Sequence, residues 1–283
     1  MRVLIVGCGY VGLSLGRTLV DQGHEVHGLR RTADGVAEME TVGLKPHRVD
    51  ITANGSLEAL PGDFDWVINT ASSSRGDAAM HHEVFVEGTR NLVERFERSQ
   101  ARLLFTSSTS VYPQTDGGWV DEESFDEPVV GTAQNLALAE EMYLKHPGGA
   151  TLLRVAGIYG PSRGHLYRQF LKGKAVIEGE GNRWVNMIHR DDVVTAILCA
   201  MENEMGIYNV TDNEPVTHRS FLEWLAGQLE RPLPVSGDPI SSGKRARTNK
   251  RVSNARLKAT GWIPQFPTFR EGYTALLQSE GVL

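Results

Sequence analysis

The six residues Gly7-Cys8-Gly9-Tyr10-Val11-Gly12 have the G-x-G-x-x-G spacing with which a chain can cradle a diphosphate. Such an anion needs a tight turn, backbone with no Cβ in its path, and N–H groups at a helix N-terminus. Glycines supply the first two, and the helix dipole adds favourable potential. About 20 residues further on, where a carboxylate would accept from a ribose 2′-hydroxyl, stand Arg30 and Arg31. Two guanidinium groups attract a 2′-phosphate instead, so the sequence favours NADP(H) over NAD(H) as cofactor. The alternative is that both arginines face solvent at a strand end. Asp50 and Ile51 are placed to frame an adenine, and Thr70, Ala71 and Ser72 to lie along ribose and pyrophosphate, or else these are ordinary loop residues.

For those groups to converge, the chain must alternate strands and helices. Val3-Leu4-Ile5-Val6 is an unbroken apolar run ended by glycine, the pattern of a strand covered on both faces. Similar runs recur at 25–29, 45–49, 66–69, 103–106, 152–155 and 207–210. Helical periodicity lies between them, as in Leu13, Leu15 and Leu19, or in Phe85, Thr89, Leu92, Val93 and Phe96. The alternation predicts an α/β fold: a Rossmann-type doubly wound parallel sheet of about seven strands. From Pro161 the rhythm changes. A helix is expected over 166–171, two strands over 175–188 around Gly179-Glu180-Gly181-Asn182, and a helix to Met201 capped by Asp191. Another helix starts near 220, capped by Thr217 or by Ser220 with Glu223, and a last one runs over 269–278. The expected division is a dinucleotide-binding domain of 1–160 plus 188–212 and a smaller α+β C-terminal substrate lobe of 161–187 plus 213–283.

Composition narrows the class of function. The chain has 283 residues, 30 of them glycine, and 29 Lys+Arg against 35 Asp+Glu give a net charge of −6. An acidic balance argues against a nucleic-acid partner. Cys8 and Cys199 are too few for a disulfide framework or a cysteine metal cluster, so no metal and a cytoplasmic setting are expected. No apolar stretch approaches the ~20 residues that span a bilayer, and no membrane partner is expected.

At this point the residues resemble an extended short-chain dehydrogenase/reductase of the NAD-dependent epimerase/dehydratase type. Besides the glycine turn, the resemblance rests on Gly88-Thr89-Arg90-Asn91-Leu92, on Phe105-Thr106-Ser107-Ser108-Thr109-Ser110-Val111-Tyr112, and on Leu153-Arg154-Val155-Ala156-Gly157-Ile158-Tyr159-Gly160-Pro161. It continues through Met187-Ile188-His189-Arg190-Asp191-Asp192-Val193 and Tyr208-Asn209-Val210. The resemblance implies a nicotinamide cofactor held in part by Thr106, Ser107, Val155 and Ala156. It also implies a small-molecule substrate, possibly a nucleotide sugar, contacted by Tyr159, Arg163, Asn186, Lys250 and Arg251. Members often pair through helices, so a homodimer is an expectation, with the Phe85–Phe96 stripe either its contact or core.

One departure is serious. The resemblance implies a catalytic Tyr-x-x-x-Lys pair, yet the seven tyrosines are followed four residues later by Ser14, Asp116, Pro147, Arg163, Leu171, Asp212 and Leu277. Alignment on the helix of Ala139-Glu140 puts Thr132 at the tyrosine place and Leu136 at the lysine place; a slip of one gives Gly131 and Asn135. An alcohol and an alkyl group cannot replace a phenol whose pKa an ammonium lowers, and loss of a placed acid/base costs ~10²–10⁴ in rate. Ser108, four residues before Tyr112, matches the hydroxyl that binds the substrate oxygen. Substitute acids are Tyr112, Tyr159, His165 or His189, each otherwise a structural residue. Two expectations follow: an NAD(P)-dependent epimerase, dehydratase or reductase with an atypical active site, or a non-catalytic NADP(H)-binding sensor. The five cations of 244–251 are either a phosphate grip or a solvated face, and Cys8 is a small apolar filler.

Overall fold

Val3, Leu4, Ile5 and Val6 are fully buried, as an apolar run covered on both faces must be. They form β1 (Arg2–Val6). With β2 (Glu25–Arg30), β3 (Lys45–Arg48), β4 (Trp66–Asn69), β5 (Arg102–Ser108), β6 (Ala150–Val155) and β7 (Ile207–Val210) it builds one seven-stranded sheet in the order β7-β6-β5-β4-β1-β2-β3. The strands run parallel, with β1 pairing both β2 and β4. The order reverses direction beside β1, so the carboxyl ends of β1 and β4 open a crevice there, where doubly wound folds bind ligands. The computed structural model describes residues 1–73, 78–125, 131–237 and 248–282.

Two compact units result: Met1–Val111 with Glu127–Arg154 and Ala200–Tyr208, and Tyr112–Asp126 with Val155–Cys199 and Asn209–Leu283. In the first, α1 (Tyr10–Asp21) buries Leu15 and Leu19. Gly16 lets it approach the sheet, since a Cβ there would lie 2.8 Å from Leu44. Thr32 caps α2 (Ala33–Thr41). A continuous helix follows: α3 (Ala78–His82), a π-helical turn (Glu83–Glu87) and α4 (Gly88–Phe96). Phe85, Thr89, Leu92 and Phe96 of the expected stripe are buried within the chain. Then comes α5 (Thr132–Leu144).

The second unit packs α6 (His165–Leu171), α7 (Arg190–Glu202), α8 (His218–Gln228), α9 (Ala255–Ala259) and α10 (Phe269–Ser279). Its core gathers Phe170, Phe221, Leu225, Phe269, Tyr273 and Leu277. Thr217, not Ser220, caps α8 by accepting from Ser220 N at 3.2 Å. Asp191 is not a cap: α7 begins at Arg190, so Asp191 lies in its first turn, where a carboxylate still suits the dipole. The two strands of 175–188 form as Ile177–Glu178 and Trp184–Val185, but they do not pair with each other. Ile177–Glu178 joins Ser236–Gly237, and Trp184–Val185 joins Val216–Thr217. No helix among the described residues is long and apolar enough to cross a membrane.

Below the end of β5 lies a buried ion pair. Arg154 donates from Nη2 to Glu140 Oε2 at 2.7 Å and from Nε at 3.1 Å, with the two side chains 2% and 3% exposed. The other carboxylate oxygen accepts from Ser107 Oγ at 2.5 Å. Removing one partner strands an uncompensated charge, whereas replacing both with apolar groups does not. We expect Arg154→Met to cost about 3–5 kcal/mol in urea unfolding and the pair Arg154→Met/Glu140→Leu to recover most of it. A single variant within about 1 kcal/mol of wild type would refute this account of the pair.

Candidate functional site

In the first unit the glycines of the β1–α1 turn divide by what they face. Gly7 has φ +84°, and a Cβ on it would meet Ala71 Cα at 2.5 Å. A Cβ on Gly12 would lie 2.7 Å from Gly7 O and 2.8 Å from Thr70 Oγ1. Both are demanded by the protein's own packing. Gly9 is different: its Cβ would meet only Gly7 O, at 3.9 Å. Beside it, α1 has no side-chain cap and no acid in its first turn. Open space over bare backbone at an uncapped helix N-terminus is the setting a diphosphate requires. Cys8 faces inward, its thiol donating to Ile5 O at 3.4 Å, and burial pushes it up to about 12, so it stays a thiol and a filler.

The turn is braced from the strand beside it. Thr70 Oγ1 donates to Gly7 O at 2.9 Å, and Ala71 N donates to Asn69 Oδ1 at 3.0 Å. Asn69 Nδ2 in turn donates to Tyr143 OH at 2.9 Å, and the Tyr143 ring stacks on Phe105 with centres 4.9 Å apart. Ser72 is exposed. At the end of β2, the Arg30 guanidinium donates to Cys8 O across the glycine turn and faces Glu38 at 3.4 Å. The Arg31 side chain is 52% exposed, with Asp50 at 3.9 Å as its carboxylate neighbour. Arg48, from the end of β3, donates to Arg31 O at 3.3 Å and makes a third cation at this edge. Sequence reading missed it; its signal is the parallel register that sets Arg48 opposite Arg30. Asp50 also accepts from Thr52 N at 3.0 Å, while Ile51 is buried against Gly88.

At the end of β5 three hydroxyls have separate fates. Thr106 donates to Asn69 O at 3.0 Å, and Ser107 is tied to Glu140. Ser108 Oγ accepts from Ser110 N at 3.2 Å, which leaves its O–H to donate outward. On α5, Thr132 is the first residue and half-buried, whereas Leu136 is buried. The slipped register gives Gly131, at φ +76°, and Asn135, whose amide lies 3.4 Å from His81 and His82. Neither register supplies a phenol or an ammonium.

The second unit holds the expected substrate residues. Tyr159 is buried, stacked on Tyr273 with centres 4.2 Å apart, and its hydroxyl is pushed up by desolvation. Arg163 is exposed. Asn186 donates to Lys250 O at 3.0 Å and accepts from Val252 N at 2.8 Å, so its amide braces the neighbouring strand. Lys250 is buried and donates from Nζ to Tyr112 O at 2.6 Å. Burial pushes its ammonium down to about 8. Arg251 Nε donates to Gly117 O at 2.9 Å. Val155 and Ala156 are buried. Among the substitute acids, Tyr112 OH donates to Asn209 Oδ1 at 2.8 Å inside the core, and His189 Nδ1 accepts from Asp191 N at 3.2 Å; His165 is exposed. Residues 244–247 of the basic run lie outside the described residues.

A model of the NAD dependent epimerase/dehydratase family matches residues 3–211. Protein YeeZ of Escherichia coli (strain K12) is 31% identical over 276 residues, covering 94% of this chain and 96% of that one. The 3-diazoavenalumate denitrifying reductase of a Streptomyces species is 28% identical over 314 residues, covering 96% and 99%. Among solved structures, the UDP-glucose 4-epimerase of Thermus thermophilus in complex with NAD matches with a TM-score of 0.83 at 25% identity over 98% of both chains.

Two outcomes follow from the geometry. Gly12→Ala should lose about 1–3 kcal/mol of stability through overpacking, while Gly9→Ala stays within about 0.5 kcal/mol, as read by urea unfolding. Equal losses would show that the two glycines share one role. Lys250 sets a pH dependence. The unfolded chain keeps this proton to about pH 10.4, but the folded chain releases it near 8. Between those values the unfolded state binds more protons, so stability rises with pH, by up to about 3 kcal/mol. Lys250→Met should flatten that rise between pH 8 and 10; an unchanged slope would assign it to another group.

Proposed function

The chain belongs to the NAD dependent epimerase/dehydratase family, and from that premise we propose that it is a cytoplasmic NADP(H)-dependent oxidoreductase of the extended short-chain dehydrogenase type. Its substrate carries a hydroxyl or carbonyl on a small polar, sugar-like molecule, and nucleotide sugars are the first class to test. The observation that carries this reading is the open space over Gly9 at the uncapped start of α1. When bound, the nicotinamide ring gives or accepts the hydride.

The chain's own residues do the rest. The Gly7–Gly12 turn, with Tyr10, Val11 and the Thr70-Ala71-Ser72 segment, holds the diphosphate. Arg30 and Arg31 bind the 2′-phosphate, and Asp50 with Ile51 borders the adenine. Thr106, Ser107, Val155 and Ala156 fix the walls at the strand ends. Ser108 donates its hydroxyl hydrogen to the substrate oxygen. Thr132 and Leu136 leave proton transfer to another group. On the substrate side Arg163 and Arg251 present charge, while Tyr159, Asn186 and Lys250 support them from within. For function the chain divides by its sheet: 1–160 with 188–212 carries all seven strands and the cofactor, and 161–187 with 213–283 takes the substrate.

Calorimetry with NADPH and NADH tests this. NADPH should bind about tenfold or more tightly than NADH, and Arg31→Ser should remove that preference while leaving NADH affinity unchanged. Arg31 is the cleaner position, since Arg30 also braces the turn. Uptake of neither dinucleotide would overturn the functional reading, and preference for NADH would overturn the 2′-phosphate assignment alone.

A further inference from the structure

A cleft of about 360 Å³ in the second unit is lined by Phe170, Gly173 and Ala175 and by residues 231–235. The way that stretch is held explains why it leaves room. Glu230, at φ +49°, turns the chain out of α8, and Arg231 N then donates to Ala226 O at 3.0 Å. Arg231 Nη1 donates to Leu171 O at 3.1 Å, and at the far end Val235 O accepts from Ile177 N at 3.0 Å. Between these ties Pro232 and Pro234 have no N–H to give a neighbour, and each pushes the residue before it into extended backbone. Gly173, at φ +63°, has nothing within 4 Å of the place a Cβ would take.

Two features of the lining exceed what holding the chain requires. Its apolar side chains stay uncovered, Leu233 at 40% and Val235 at 76% exposure. Its charge stays uncompensated as well. Arginine has five N–H donors, yet the guanidinium of Arg231 makes one bond, to Leu171 O, and no acid pairs with it among the described residues. The same holds for Lys172 and Lys174, exposed on either side of Gly173 in the chain. Of the described acids on neighbouring elements, Glu178 pairs with Arg183, Glu180 accepts from Asn182 and Glu280 accepts from Tyr167 OH, which leaves Glu230 against three cations. An uncovered apolar cleft with surplus positive charge is complementary to an anion with an apolar body.

We propose that this cleft binds a medium-length alkyl carboxylate, with the chain along residues 232–235 and the carboxylate on the unused donors of Arg231. A volume of a few hundred Å³ suits a small ligand. Four residues of extended backbone span roughly 12 Å, about the length of an eight-carbon chain. The apolar lining then contributes in proportion to the area it covers, and the guanidinium fork selects the head group. This site goes beyond the functional reading, which uses none of these residues.

The test is calorimetry on the full chain with octanoate, hexanoate, octan-1-ol and octylamine. Octanoate should saturate at one per chain, about tenfold or more tightly than hexanoate, since each methylene adds apolar area. It should exceed the alcohol and the amine, which cannot use the guanidinium fork, by about tenfold or more. Ala175→Leu, which fills the cleft, and Arg231→Gln, which removes the charge, should each weaken octanoate about tenfold. Should either variant unfold the chain, Val235→Asp places an acid in the lining at an exposed position and should weaken octanoate about tenfold with the fold intact. No saturable binding of octanoate, binding no tighter than that of the alcohol, or binding that ignores Val235→Asp overturns the proposal. None of these titrations includes a dinucleotide, so failure of the functional reading would leave them untouched.

Discussion

Backbone meets backbone where β1 turns into α1, and little of the first unit's ligand edge could exist otherwise. A Cβ at Gly7 would stand 2.5 Å from Ala71 Cα, and one at Gly28 would stand 2.7 Å from the Cys8 sulfur and 2.5 Å from that of Met39. At Gly7 the contact is backbone, with no flexible side chain to give way, which fixes the height of the turn above the sheet. Two side chains then lock it from either side. Thr70 holds the carbonyl of Gly7, and Arg30 holds that of Cys8. The N–H groups of Gly7 and Cys8 donate to Leu29 O and that of Gly9 to Gly7 O, so what the turn offers an anion is the dipole at the start of α1. Of the three glycines in the turn, Gly9 is the one with open space where a Cβ would stand, so no packing contact accounts for its missing side chain.

The same economy of space explains α5. Neither alignment of α5 with the family, at positions 132 and 136 or at 131 and 135, brings an ionisable pair, yet the helix carries a charge further on, at Glu140. That charge is used internally, clamped by Arg154 and accepting from Ser107. A buried ion pair adds little net stability, but it tolerates few alternative arrangements. Here it ties α5 at Glu140 to Ser107 at the end of β5, so Ser108 emerges next to a residue held in place. The hydroxyl that can act and the hydroxyl that cannot are adjacent in sequence because strand residues alternate faces.

The sheet and the glycine turn were legible because their signals are local. An apolar run such as Val3–Val6 announces burial on both faces within four residues, and a helix cap such as Thr217 needs three. What stayed hidden depends on partners far along the chain. Ile177–Glu178 and Trp184–Val185 flank a glycine-rich turn and suggest a hairpin, yet each finds a partner more than 30 residues away. Strands of two residues carry too little pattern to choose between those pairings. Asp191 resembles a cap in the sequence because caps and first-turn acids use the same residue types, and the bonds differ only in geometry. Arg48 joins Arg30 and Arg31 through strand register, and Arg154 finds Glu140 through packing; neither leaves a motif.

Lys250 and Arg251 show how adjacent cations take opposite fates. In the strand Arg251–Val252, Lys250 and Val252 point to one face and are buried, while Arg251 points to the other. The ammonium of Lys250 is compact and strongly hydrated, so burial with a single carbonyl acceptor pushes it toward neutrality. The guanidinium of Arg251 is flat, delocalised and weakly hydrated, so the indoles of Trp119 and Trp184, with ring centres 5.2 and 5.0 Å from its Cζ, can replace water beside it without removing its charge. Exchanging the two residues would fail on both sides: a guanidinium would keep its charge at the buried position, and an ammonium would lack the flat face that meets the rings. The order Lys-Arg is therefore a consequence of strand alternation, which sends the group able to lose its proton inward and keeps a permanent positive charge facing out.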